Sequence, residues 1–139
     1  MEQKPFYFIL NRTLQAQKNK LAPKMKDIGL SPGQPKILSH LLQNNKCMQK
    51  ELALFCNIEP ATVSKILNNM IDEGLVKKTV VEGNKRASCI SITEEGKKRY
   101  EKWLEICFEE EDESLYGFQL EEKEIFKSYL IRMYNNIIG

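Results

Sequence analysis

Little in this chain invites metal or covalent chemistry. Of its 139 residues a single one, His40, is histidine, and a zinc site needs several His or Cys ligands close in space. The cysteines stand at 47, 56, 89 and 107 with no CxxC pair. No secretion pattern precedes them: Met1-Glu2-Gln3-Lys4-Pro5 is polar, and Asn11-Arg12 interrupts the apolar run that follows. The expectation is reduced thiols in a cytoplasmic protein. Cys56 and Cys89 fall in apolar patterns that suit a core, Cys47 begins a turn, and Cys107 falls within a helix. No run is long and apolar enough to span a membrane. Nor is there a glycine-rich phosphate loop, a nucleophile–base motif or a metal triad, so neither an enzyme nor a cofactor is expected. The acidic run Glu109–Glu113 is consecutive on a helix, where side chains diverge, and reads as a solvated face.

What the chain does have is a lopsided charge. Residues 1–100 carry 17 Lys and Arg against 9 Asp and Glu, a balance of +8. Residues 101–139 carry 4 against 10, a balance of −6, and the two recover the net +2. A basic surface gives non-specific affinity for phosphates and steers association with nucleic acid.

The basic part holds the most informative stretch, residues 48–93. A short helix is expected from about Gln49 to Cys56, burying Leu52, Ala53 and Phe55. A second runs from Glu59 to Gly74, with Val63, Ile66, Leu67, Met70 and Ile71 on one face. The face it leaves free carries Ala61, Thr62, Ser64, Lys65, Asn68 and Asn69. These side chains are small, or form hydrogen bonds without negative charge, as a helix entering a DNA major groove requires. Gly74 ends the helix. Leu75–Val81 and Ser88–Ile92 then read as a hairpin with Lys85 and Arg86 at its tip. Asn68 or Asn69 suits adenine, Lys65 suits guanine or phosphate, and Thr62 and Ser64 suit phosphate or a thymine methyl. Gln49, Lys50, Lys77 and Lys78 are further candidates for phosphate, and Lys85 and Arg86 for a minor groove or phosphate. This is the layout of a winged helix-turn-helix.

Leu52-Ala53, Ile58-Glu59-Pro60-Ala61-Thr62-Val63-Ser64, Gly74-Leu75-Val76-Lys77-Lys78 and Ser91-Ile92-Thr93-Glu94-Glu95-Gly96, taken in that order, resemble the MarR family of bacterial transcription regulators. So do Gly29-Leu30-Ser31-Pro32-Gly33-Gln34 upstream and Gly117-Phe118-Gln119-Leu120-Glu121-Glu122-Lys123-Glu124 downstream. The wing departs from the family's Asp-x-Arg-x-x-Arg pattern. If Arg86 is the last Arg, Gly83 stands for the first and Val81 for the Asp. Peroxide-sensing relatives carry a cysteine in the first helix, and this chain has none there.

The remaining chain frames that lobe. A first helix from Pro5 to about Lys26 should kink or end its regular part at Pro23. Ser31 is read as the cap of a second helix, with Pro32 at its first position and Gln34 completing a capping box. Pro35 then looks uncomfortable, because its missing N–H would have bonded the cap carbonyl. That helix should bury Ile37, Leu38, Leu41 and Leu42 and end at Asn44-Asn45. Thr93 can cap a fifth helix reaching about Tyr116, and a sixth runs from about Leu120 to Ile138. The expected fold is mainly α with a small β-hairpin wing. Its parts are a dimerisation helix at 1–30, a winged helix-turn-helix lobe at 31–96 and dimerisation helices at 97–139, as one compact domain overall.

The first and last helices are apolar well beyond the needs of a small domain: Phe6, Ile9 and Leu10 in one, Phe126, Tyr129, Leu130, Met133 and Ile137 in the other. A second copy would cover them. The resemblance implies a homodimer on double-stranded DNA at a pseudo-palindromic operator. It further implies repression relieved by a small-molecule effector in a cleft between the lobes, for which Phe8, Arg12 and His40 are candidates. Two alternatives remain at this stage: a thiol-based redox regulator, and a winged-helix module that binds protein instead of DNA.

Overall fold

A computed structural model describes residues 1–80, 83 and 88–139. The chain divides into two compact units, Met1–Ile106 and Cys107–Gly139. The sequence expectations for Val81, Lys85 and Arg86 lie outside the described residues.

The first unit opens with α1 (Phe6–Asp27), which runs through Pro23 as one helix and buries no residue. α2 (Gln34–Asn44) follows. Its start corrects the sequence reading. The cap position is Gly33, at φ 88°, and not Ser31. Gly33 is needed because that backbone angle penalises any side chain, and a Cβ there would also meet Ile66 Cδ1 at 2.9 Å. With the helix starting at Gln34, Pro35 sits in the first turn, where its N–H would have had no helical partner. The discomfort expected of Pro35 therefore disappears. Gln34 still reaches back: its Oε1 accepts the Ser31 N–H at 3.0 Å. Ile37, Leu38 and Leu41 are buried as expected, but Leu42 is exposed, and Gln34 and Pro35 are buried as well.

Lys46–Met48 forms a short strand, β1, that the sequence did not announce. α3 (Gln49–Phe55) and α4 (Pro60–Asp72) come next. Between them Asn57 takes φ 53°, a left-handed turn position that asparagine tolerates better than most residues. The strands β2 (Val76–Val80) and β3 (Ser88–Ile92) complete an antiparallel sheet of order β1-β3-β2. In its register Cys47 and Lys78 lie opposite Ile90, and Lys46 and Lys77 lie opposite Ser91.

The core joins α2, α3, α4 and one face of the sheet: Ile37, Leu38, Leu41, Leu52, Val63, Leu67, Met70, Leu75 and Ile90 are all buried. Each contributes about 1.5–3 kcal/mol by leaving water. α5 (Glu94–Ser114) begins where this core ends, and Tyr100 and Trp103 pack against it. Thr93 ties the junction. Its hydroxyl donates to the Gly74 carbonyl at 2.6 Å and accepts the Gly96 N–H at 3.0 Å. One side chain thus holds the exit of α4 and the entry of α5.

The second unit contains the end of α5 and α6 (Leu120–Ile138). Gln119 and Glu122 form a capping box at the start of α6. α6 buries no residue; Tyr129 is 59% exposed and Ile137 72%. Within the acidic run Glu110 is buried, which corrects the expectation of a wholly solvated face there. No helix among the described residues is long and apolar enough to cross a membrane.

Candidate nucleic-acid interface

The reading face of α4 follows from its helical period. Val63, Leu67 and Met70 are buried, so the residues on the opposite side of the helix face out. Ala61, Thr62, Lys65, Asn68 and Asn69 are exposed. None of the five is acidic, and together they present amide, hydroxyl and ammonium groups. Ser64 is half-buried in the same stripe, between Ala61 and Asn68 at helical neighbour spacing. Glu59 holds the N-cap position without a side-chain capping bond, and Pro60 occupies the first helical position, where proline's fixed φ suits helix entry.

A polar contact joins α3 to α4. The Gln49 Nε2 donates to Ser64 Oγ at 2.6 Å. Gln49 is therefore half-buried and engaged with the reading helix, whereas its neighbour Lys50 is exposed. Nothing in the sequence joined these two residues, since they lie on different helices with a turn between. The candidate Lys78 is exposed on β2, as is Lys77 on the opposite strand face. The candidates Lys85 and Arg86 lie outside the described residues.

His40 lies elsewhere. Its ring stacks on Phe55 with centroids 4.8 Å apart. Phe55 is 65% exposed, so the expectation that α3 buries it is wrong. A phenylalanine at the last position of the helix can reach sideways to α2, and here the histidine ring covers one side of it. The two rings, with Lys36, Ser39, Gln43 and Cys56, line a shallow depression between α2 and α3. Phe8 and Arg12 are not in its lining. Phe8 is half-buried on α1 under the Lys4 ammonium, 5.2 Å from its ring, and Arg12 is exposed.

Cys47, Cys56 and Cys107 are held towards the protonated form. Burial, followed by the hydrogen bond from Cys47 Sγ to Glu51 Oε2 at 3.1 Å, pushes Cys47 up to about 12. Cys47 is thus a buried strand residue and not part of an open turn. Burial also raises Cys56, against a smaller lowering by Lys36, and raises Cys107, with Glu110 adding to it. A reactive thiol needs the opposite environment. No group of three or more His, Cys, Asp or Glu able to hold a metal occurs among the described residues.

Comparison with known proteins agrees with this geometry. Residues 28–87 match the model of the MarR family. The chain is 29% identical over 125 residues to the uncharacterised HTH-type transcriptional regulator YwoH of Bacillus subtilis, covering 90% of each chain. It is 32% identical over 104 residues to the HTH-type transcriptional repressor YetL of the same organism, covering 73% of this chain and 62% of that one. Among solved structures it is similar to a MarR-family transcriptional regulator from Silicibacter pomeroyi. That match has a TM-score of 0.76 at 25% identity and covers 94% of this chain and 88% of the other.

Proposed function

We propose, for a chain that belongs to the MarR family of winged helix-turn-helix regulators, a two-fold homodimer that represses transcription from a pseudo-palindromic operator. The protein is a DNA-binding transcription regulator and not an enzyme. The observation that carries the DNA-binding part of this reading is the face of α4: five exposed side chains without a carboxylate, on a helix whose other side is locked into the core.

Dimerisation is supported by apolar surface that each unit leaves uncovered. On α1, Phe6 and Tyr7 are 66% and 67% exposed; Ile9 and Leu10 are half-buried. On α6, Phe126, Tyr129, Leu130 and Ile137 are exposed and Met133 half-buried. A second copy would remove these groups from water. Repression is the mode carried in the name of one relative, YetL. Release by a small molecule is supported by the depression at His40, and Phe8 and Arg12 remain candidates only for a cleft completed by the second copy. Effector binding would act by shifting dimers between DNA-competent and DNA-incompetent arrangements. The cytoplasm is the compartment this function requires.

Footprinting tests the whole reading. Half-site centres should lie about 10–10.5 base pairs apart, because each recognition helix of a two-fold dimer must meet a major groove. Inserting five base pairs at the centre turns one half-site to the far face, and affinity should fall towards the non-specific level. Undiminished protection of the expanded site, or binding indifferent to salt, would favour the protein-interaction reading instead.

A further inference from the structure

The contact between Gln49 and Ser64 fixes more than the distance between two helices. An amide nitrogen can only donate, so the Gln49 Nε2 takes a lone pair of Ser64 Oγ at 2.6 Å and leaves the hydroxyl proton unspent. A serine inside a helix commonly gives that proton to the carbonyl four residues earlier. Among the described residues Ser64 makes no such bond to Pro60, nor one to Ala61 a residue nearer, although Thr13 bonds Ile9 at 2.7 Å and Ser128 bonds Ile125 at 2.7 Å. The hydroxyl is thus free to turn its proton towards the reading face, among the exposed Ala61, Lys65 and Asn68.

We infer that Gln49 is a positioning residue that sets the hydrogen-bond polarity of Ser64, making it a donor to an acceptor on DNA. This rests on the DNA-binding reading and deepens it. The acceptor is a phosphate oxygen or a base-edge atom such as guanine O6 or N7, or thymine O4; donor-bearing edges such as cytosine N4 are disfavoured. Gln49 stands behind Ser64, half-buried, and acts through it.

The test reverses the polarity without changing the shape. Gln49→Glu replaces the amide by a group that can only accept, so the Ser64 proton turns inward and lone pairs face the DNA. Gln49→Lys keeps a donor at that place. Each is made in the wild-type background and together with Ser64→Ala, which separates the added charge from the polarity. Affinity is measured on a duplex selected from random DNA by the wild type and on an unselected duplex, after thermal melts establish that all variants fold. Gln49→Glu should cost at least tenfold more when Ser64 is present than in the Ser64→Ala background, while Gln49→Lys should shift both backgrounds equally. An excess loss confined to the selected duplex, with altered base preference at one position per half-site, places the proton on a base. An equal excess on both duplexes places it on phosphate. Equal cost of Gln49→Glu in the two backgrounds overturns the inference, and so does like behaviour of Gln49→Glu and Gln49→Lys, which marks a merely structural bond. A wild type that binds no duplex removes the DNA-binding reading itself, and the inference with it; wild-type binding without coupling removes only the role of Gln49.

Discussion

Gly96→Ala sets two effects of opposite sign against each other. Gly96 is the third residue of α5, and alanine in a helix is favoured over glycine by about 0.8–1.0 kcal/mol. Propensity alone therefore predicts a more stable protein. The space does not allow it. A Cβ at Gly96 runs into the Leu75 carbonyl oxygen and meets Ile92 Cγ1 at 2.8 Å. The oxygen cannot swing aside as a side chain would, because it accepts the Thr93 N–H at 3.1 Å at the start of the wing. Forcing a methyl group into a packed site costs about 1–3 kcal/mol. Weakening the Thr93 bond adds about 1 kcal/mol. The balance is a loss of about 1–3 kcal/mol. Urea unfolding at fixed protomer concentration should show a lower midpoint with unchanged slope. Gly117→Ala is the control, since nothing lies within 4 Å of its added Cβ and only its φ of 86° opposes the change. A midpoint for Gly96→Ala at or above the wild type would refute the close approach of α5 to the start of β2.

Three further outcomes are expected. Asn68→Ala should relax preference at one base position per half-site, by about 1–3 kcal/mol if the amide is bidentate, and leave random DNA unaffected; competition binding against single-base variants reads this directly. Tyr129→Glu with Met133→Glu should place charge in the dimer interface and yield monomers by sedimentation, and a wild type that is already monomeric at micromolar concentration sinks the dimer. Cys47 retains its proton to about pH 12 when folded, while an unfolded thiol loses it near the ordinary 9.0. Its contribution is therefore complete below pH 9.0 and is lost as the pH rises towards 12, so stability should fall across that window and Cys47→Ser should flatten the fall.

The helices were legible because their apolar residues repeat at helical spacing over several turns, as Val63, Leu67 and Met70 do in α4. β1 was not, since three residues carry no period and its partner Ser91 lies far along the chain. Leu42 and Phe55 show the other limit. Apolar spacing marks them as core candidates, yet burial depends on what lies opposite, and opposite Phe55 lies the ring of His40. The start of α2 was misplaced because Ser31-Pro32 and Gly33-Gln34 both form acceptable entries. The left-handed angle that only Gly33 accepts without strain decides between them. In the interface the sequence supplied the exposed stripe of α4 but not the bond from Gln49 to Ser64, which exists only once α3 crosses α4.

The order of the small sheet has a consequence for solubility. β1 and β2 are its two outer strands, and an open strand edge is a template for pairing with another chain. β1 is only three residues long. β2 carries Lys77 and Lys78 on its two faces, so an incoming strand would have to bring its backbone between two ammonium groups whichever side it approached. The lysines suited to hold phosphate therefore also guard against aggregation. Neutralising both should lower DNA affinity and shorten the time a concentrated solution stays clear, and light scattering would separate the second loss from the first.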